Sequence, residues 1–275
     1  MERLPALFIS HGAPTYALEP ALAGAQLNKL GRVLPRPAAV LVVSPHWMTR
    51  QPEATSSAHP GTIHDFGGFD PALYDMSYPA AGHPDLAARA IELVRAAGWS
   101  SATLNASRGL DHGAWVPLMH LYPQHDVPVF QVSLPHRLDS RSAFEYGRAL
   151  APLGDQGVLV VGSGSLTHNL FEFREGHTAE AEYALAFTTW IRQAVQAGDA
   201  TRVIQALEQA PHAARAHPTA EHFLPLLVAL GAAPSVLPAT VLAGGIAHGV
   251  LSMESYVFGQ AVQLEAQQEA VADHG

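Results

Sequence analysis

Residues 157–170 read GVLVVGSGSLTHNL, and this stretch decides the fold. GVLVV is a short, continuous apolar run rich in β-branched residues. A strand with one wet face alternates apolar and polar residues. A continuous run belongs to a strand buried on both faces, in a sheet covered by helices on either side. The run stops at Gly162-Ser163-Gly164, and His168 follows. Two other segments are built the same way. Residues 6–10 (ALFIS) stop at His11-Gly12, where the glycine lets the backbone turn sharply. Residues 38–43 (AAVLVV) stop at Ser44-Pro45 and then His46.

Working outward, helical patterns cover residues 21–30, 85–97, 114–122, 140–153, 179–197, 201–209 and 219–230. Pro84 stands near the start of the second, and His217-Pro218 announces the last. Further strands are predicted at 101–104, 127–133, 235–242 and 249–258. Residues 51–78, rich in Gly, Pro, His and Asp, read as a long functional loop with room for a short strand. The tail, residues 260–275, is polar and Gln/Glu/Ala-rich, helical or frayed. Alternating strands and helices make an α/β layered fold. With no repeat, linker or charge-block boundary, residues 1–275 read as a single domain.

Of the 275 residues, 48% are hydrophobic and 14% charged, enough apolar material for a substantial core. The formal net charge is −9 and no basic run occurs, which argues against a nucleic-acid surface. No apolar run is long enough to span a bilayer. The short apolar stretch after Met1 is too brief for a signal-peptide core. A soluble, cytoplasmic protein is the expectation. There are no cysteines, so disulfides, thiolate metal sites and a cysteine nucleophile are excluded. Any metal must be held by nitrogen and oxygen. The 16 histidines exceed the 15 lysines plus arginines, and histidine is the commonest metal ligand.

In open α/β sheets, ligands gather beyond the carboxyl ends of the strands. His11, His46 and His168 all stand there, and they converge if their strands are neighbours. The blander reading has each merely ending a strand. His112 lies in a turn before a helix, where Asp111 either orients an imidazole or caps the helix. Glu221 and His222 are adjacent and point about 100° apart if helical, so both do not serve one metal. Glu221 also suits the positive end of a helix dipole. Tyr16, Trp47 and Phe66 are candidate pocket walls. His64 and His136 are the next histidines of interest.

PALFISHGAP (5–14), LVVSPHW (41–47), GLDHGAWVPL (109–118), VPVFQVSLP (127–135), VGSGSLTHNL (161–170), HPTAEHFLPL (217–226) and GVLSMESYVFG (249–259) carry a resemblance. In this order, across almost the whole chain, they resemble the class III (LigB-type) extradiol ring-cleavage dioxygenases, in the 4,5-DOPA extradiol dioxygenase branch. The resemblance implies one α/β domain whose central, mixed, partly parallel sheet is flanked by helices. It implies one divalent metal per chain, Fe(II) for dioxygenase activity, with Zn(II) also able to bind. His11 and His46 match the shared metal ligands. His222 matches the histidine that replaces the wider class's glutamate. His168 matches the acid/base, and in some zinc-bound members also reaches the metal. His112 matches a second active-site histidine.

The implied reaction inserts both atoms of O2 into a DOPA-like catechol and yields a ring-opened semialdehyde. Imidazoles on one face of a metal leave the opposite face free for catechol and oxygen. One histidine can take a catechol proton and later return one, which suits His168. The alternative is a zinc-dependent hydrolase with Glu221 as general base. A third reading is a non-enzymatic metal-dependent binding protein. The partners expected are a small-molecule catechol and O2, with neither nucleic acid nor membrane.

Overall fold

The structure is a computed structural model describing residues 3–174 and 176–264. Its main sheet has six strands: β1 (Ala6–Ser10), β2 (Ala39–Val43), β3 (Val129–Gln131), β4 (Val158–Gly164), β5 (Ala239–Leu242) and β6 (Ser255–Phe258). Their spatial order is β3-β2-β4-β1-β6-β5. The first four are parallel, and β6 and β5 are antiparallel to their neighbours. The sheet is therefore mixed and partly parallel, as expected.

Each central strand is buried along its length, and its residues divide between two cores. Phe8, Leu41 and Val160 point to one face, and Leu7, Val42 and Val161 to the other. On the first face lie α2 (Pro84–Ala96), α4 (Ser140–Leu150), α5 (Glu182–Gln196) and α6 (Leu224–Ala232). On the second lie α1 (Ala21–Val33) and α3 (His112–Leu121). This two-sided cover is why the strand runs lack polar alternation. Fully burying one large apolar side chain contributes ~1.5–3 kcal/mol, so the two cores carry most of the stabilisation.

Several expected elements differ. The helix expected at 219–230 begins only at Leu224. His222 gives its carbonyl to the Ser165 N–H across the chain (3.0 Å), so residues 219–222 form turns instead. The strand expected at 249–258 breaks into Leu251–Ser252, paired with Ile246–Ala247, and β6. The helix at 201–209 is interrupted at Gln205. Strand 235–242 starts at Ala239, after Pro238, which has no N–H to donate to a ladder. The long loop does hold a short strand, Glu53–Thr55. The tail reading falls largely outside the described residues. Among the described residues no helix is long and apolar enough to cross a membrane.

Candidate metal centre

β4 lies between β2 and β1, all three parallel, so their carboxyl ends open on one edge. His11 directly follows β1, and Gly12 turns the chain with φ +61°. His46 follows β2 through Ser44-Pro45. His112 opens α3, and His222 stands just before α6. A close approach brings His222 in: a Cβ on Gly164 would sit 2.2 Å from the His222 carbonyl oxygen. The glycine end of β4 thus lets the approach to α6 lie directly on the strand.

The rings cluster tightly. His11 and His46 have centroids 5.0 Å apart, His11 and His222 5.5 Å, and His46 and His222 5.2 Å. His112 packs against His46 at 3.9 Å. His168 lies flat on His222, with ring centroids 3.5 Å apart and planes 8° from parallel. The Nε2 atoms of His11 and His46 face each other at 3.1 Å. The five histidines that the family resemblance picks out, His11, His46, His112, His168 and His222, therefore meet.

The hydrogen bonds decide which nitrogens are bare. The Ser163 hydroxyl donates to the Gly113 carbonyl, so its oxygen accepts from His11 Nδ1–H at 2.9 Å. His11 Nε2 is left as a lone pair. His222 Nδ1–H donates to Glu221 Oε1 at 3.0 Å, which leaves its Nε2 bare as well. His46 Nδ1 stands 3.6 Å from Asp65 Oδ2. One donor atom from each of His11, His46 and His222 falls within 4.8 Å of the other two. Buried ligating imidazoles are usually oriented in this way, by an acceptor on the nitrogen facing away from the metal. Two further donor groups, His46 with Asp65 and His112, and His168 with Glu221 and His222, share members with this one. In the first the Asp65 carboxylate stands beside the Nδ1 atoms of His46 and His112, and in the second Glu221 accepts from His222 Nδ1.

Electrostatics agree. Burial holds His11 and His222 well below the usual histidine range, and repulsion from neighbouring imidazoles adds to it. Burial and the His112 ring lower His46 to about 3, against the pull of Asp65. Burial lowers His168 to about 4, with Glu221 opposing. The lowered values keep His11, His46, His168 and His222 neutral at pH 7, the state a metal needs. The site's chemistry thus fits a divalent ion held by nitrogen.

A cavity of about 300 Å³ opens above the cluster. His46, His112, His168 and His222 reach it, and Phe66, Phe69, Leu170 and Phe173 contribute apolar wall. Of the three expected wall residues, only Phe66 is there. Tyr16 lines a different cavity and packs on His120 (4.6 Å), while Trp47 lies under the Arg108 guanidinium at 5.3 Å. His64 braces the loop by donating to the Met76 carbonyl (2.9 Å). His136 is not among the cavity's lining residues.

Asp111 does not orient an imidazole. Its carboxylate accepts from Gln131 Nε2 (2.8 Å), and burial pushes its pKa up. The carboxylate beside the imidazoles is Asp65, overlooked in the sequence although it stands in the loop marked as functional. Burial acts to raise Asp65, but contact with His112 brings it down to about 2.

The fold and the imidazole cluster define an α/β protein whose converging ring nitrogens could hold a divalent metal beneath an apolar cavity. Residues 5–259 match the family described as the catalytic LigB subunit of aromatic ring-opening dioxygenase. The chain belongs to that family and is an extradiol ring-cleavage dioxygenase. It is 40% identical over 261 residues to the 4,5-DOPA dioxygenase extradiol of Escherichia coli (strain K12), covering 94% of this chain and 95% of that one. The protein of that description from Beta vulgaris is 40% identical over 254 residues, covering 91% and 95%. The crystal structure of an uncharacterized Escherichia coli K12 protein superposes with a TM-score of 0.75 at 34% identity, covering 94% of this chain and all of that one. None of these comparisons supports the hydrolase alternative.

Proposed function

We propose that His11, His46 and His222 hold one divalent metal, Fe(II) in the working enzyme, and that the substrate is a DOPA-like catechol. The carrying observation is the convergence of bare imidazole nitrogens under an apolar cavity. The relatives' names supply the catechol class. When bound, iron supplies the redox chemistry through which dioxygen reacts with the catechol, for which zinc has no electron to offer.

The chain's own residues then have separable tasks. His168 is the acid/base: neutral at pH 7, it accepts a catechol hydroxyl proton at a ring nitrogen and later returns a proton to the opening product. Glu221 stabilises the imidazolium formed in between. His112 holds a substrate or dioxygen oxygen by hydrogen bonding. Phe66 and Phe69 seat the ring and exclude water. The described residues act as one catalytic domain, and its location is the cytoplasm.

Anaerobic rebuilding of metal-stripped protein with Fe(II) or Zn(II), followed by DOPA, caffeate and protocatechuate at an oxygen electrode, tests this. Oxygen uptake and a new visible absorbance are expected with iron alone, and not in His11→Ala or His168→Ala. An iron-loaded protein that consumes no oxygen with any catechol would refute the substrate and metal assignment.

A further inference from the structure

We propose that Asp65 is a positioning residue of this site: its carboxylate holds the His112 imidazole in the Nδ1–H form and tethers to it the loop that walls the cavity. The proposal rests on the role given to His112 above.

Asp65 makes two contacts with one residue. Its Oδ1 accepts the His112 backbone N–H at 2.9 Å, and its Oδ2 stands 3.1 Å from His112 Nδ1. That ring nitrogen is buried and makes no well-aligned hydrogen bond among the described residues, so the Asp65 carboxylate beside it is a charge contact. The backbone contact has its own meaning. Asp111, at the N-cap of α3, makes no side-chain cap bond, because its carboxylate is turned toward Gln131. Asp65 caps the helix in its stead, from a segment 47 residues earlier in the chain. The loop is fastened alongside: Trp115 Nε1 donates to the Ile63 carbonyl (2.9 Å), and Ile63 N–H to the Leu110 carbonyl (2.8 Å).

The ring contact goes beyond capping. A carboxylate only accepts, so the nitrogen facing it must carry the proton, and the other ring nitrogen is left bare for an oxygen-bound hydrogen in the cavity. The same carboxylate stands 3.6 Å from His46 Nδ1, so a single charge lies beside two adjacent rings. Phe66, the next residue, packs its ring against His112 at 5.6 Å. Holding Asp65 therefore also holds an aromatic wall of the cavity.

A purely structural cap and a positioning carboxylate are separated by Asp65→Asn. Asparagine caps a helix as well as aspartate does, so stability should hold. Its amide can also donate, so it no longer dictates the His112 proton. Nitrogen-15 NMR of the metal-free protein should show His112 as Nδ1–H in the native chain and as a tautomer mixture in the variant. In the Fe(II) enzyme, kcat should fall about 10–100-fold while KM for the catechol stays within about threefold. Asp65→Ser, which also caps but falls short of the ring, should behave alike and serves if the asparagine variant does not fold. An unchanged His112 spectrum in the capped variants overturns the proposal. The spectrum needs neither metal nor turnover, so it decides the role of Asp65 even if the native enzyme opens no catechol.

Discussion

Ser163 spends its proton on the Gly113 carbonyl and its lone pair on His11, and so determines which nitrogen of His11 is bare. Ser163→Ala frees the ring to flip or change tautomer. The expected result is a protein of near-native stability whose metal affinity falls ~10–100-fold, read by competition with a chromogenic chelator. Unchanged affinity would make Ser163 a packing residue. Phe66→Ala removes apolar wall and should raise the catechol KM several-fold with little change in metal content, measured by initial rates and metal analysis. At this scale the sequence is legible where a residue's meaning is local. His11, His46 and His168 stand where apolar runs end, and strand ends are visible in any window. Asp65 could not be found so, because its partner is brought near only by folding. Trp47 misled for the converse reason: it adjoins His46 in the chain, yet its ring stacks with Arg108.

The contact between β4 and α6 shows how an element places a ligand. Gly162 and Gly164 lie beneath the Pro225 and His222 carbonyls, where added Cβ atoms would meet oxygen at 1.9 and 2.2 Å. Gly164→Ala must push the residue 222 segment off the strand. Overpacking of this kind costs about 1–3 kcal/mol, and the displacement should also lower bound metal below one per chain. Thermal unfolding and metal analysis check the two effects separately. A variant with native melting and full metal would show that the helix approach yields freely. The buried strands were legible because burial on both faces leaves an unmixed apolar run. The start of α6 was not: residues 219–223 look helical, but the His222 carbonyl is used by Ser165, a partner no local pattern reveals.

The molecule as a whole keeps several histidines out of water, and this couples its stability to pH. Burial lowers His217 to about 4, although its Nε2–H donates to the Leu166 carbonyl at 2.9 Å. His168 is also near 4 and His46 near 3. Unfolded, each titrates near 6.5. Between those values the unfolded chain binds more protons than the folded one, so stability rises with pH and is lost as pH falls from 6.5 toward 4. A fully buried histidine contributes up to about 1.4 kcal/mol per pH unit, and less where it is partly exposed. The metal-free protein should therefore melt several degrees lower at pH 5 than at pH 7, by calorimetry. His217→Phe should show a shallower pH dependence. A flat profile would mean these rings are charged in the folded state.

The sheet order has one more consequence, for the moment of synthesis. β1 is made first, but its hydrogen-bonded neighbours are β4 and β6, whose last residues are Gly164 and Phe258. The three candidate ligands, at positions 11, 46 and 222, are equally scattered along the chain. A ribosome-bound fragment that ends before residue 222 holds two of these imidazoles and lacks the third. Loading with metal thus waits until residue 222 has been made, and tight uptake of one ion per chain would report that the ends of β1 and β2 and the segment before α6 have found each other.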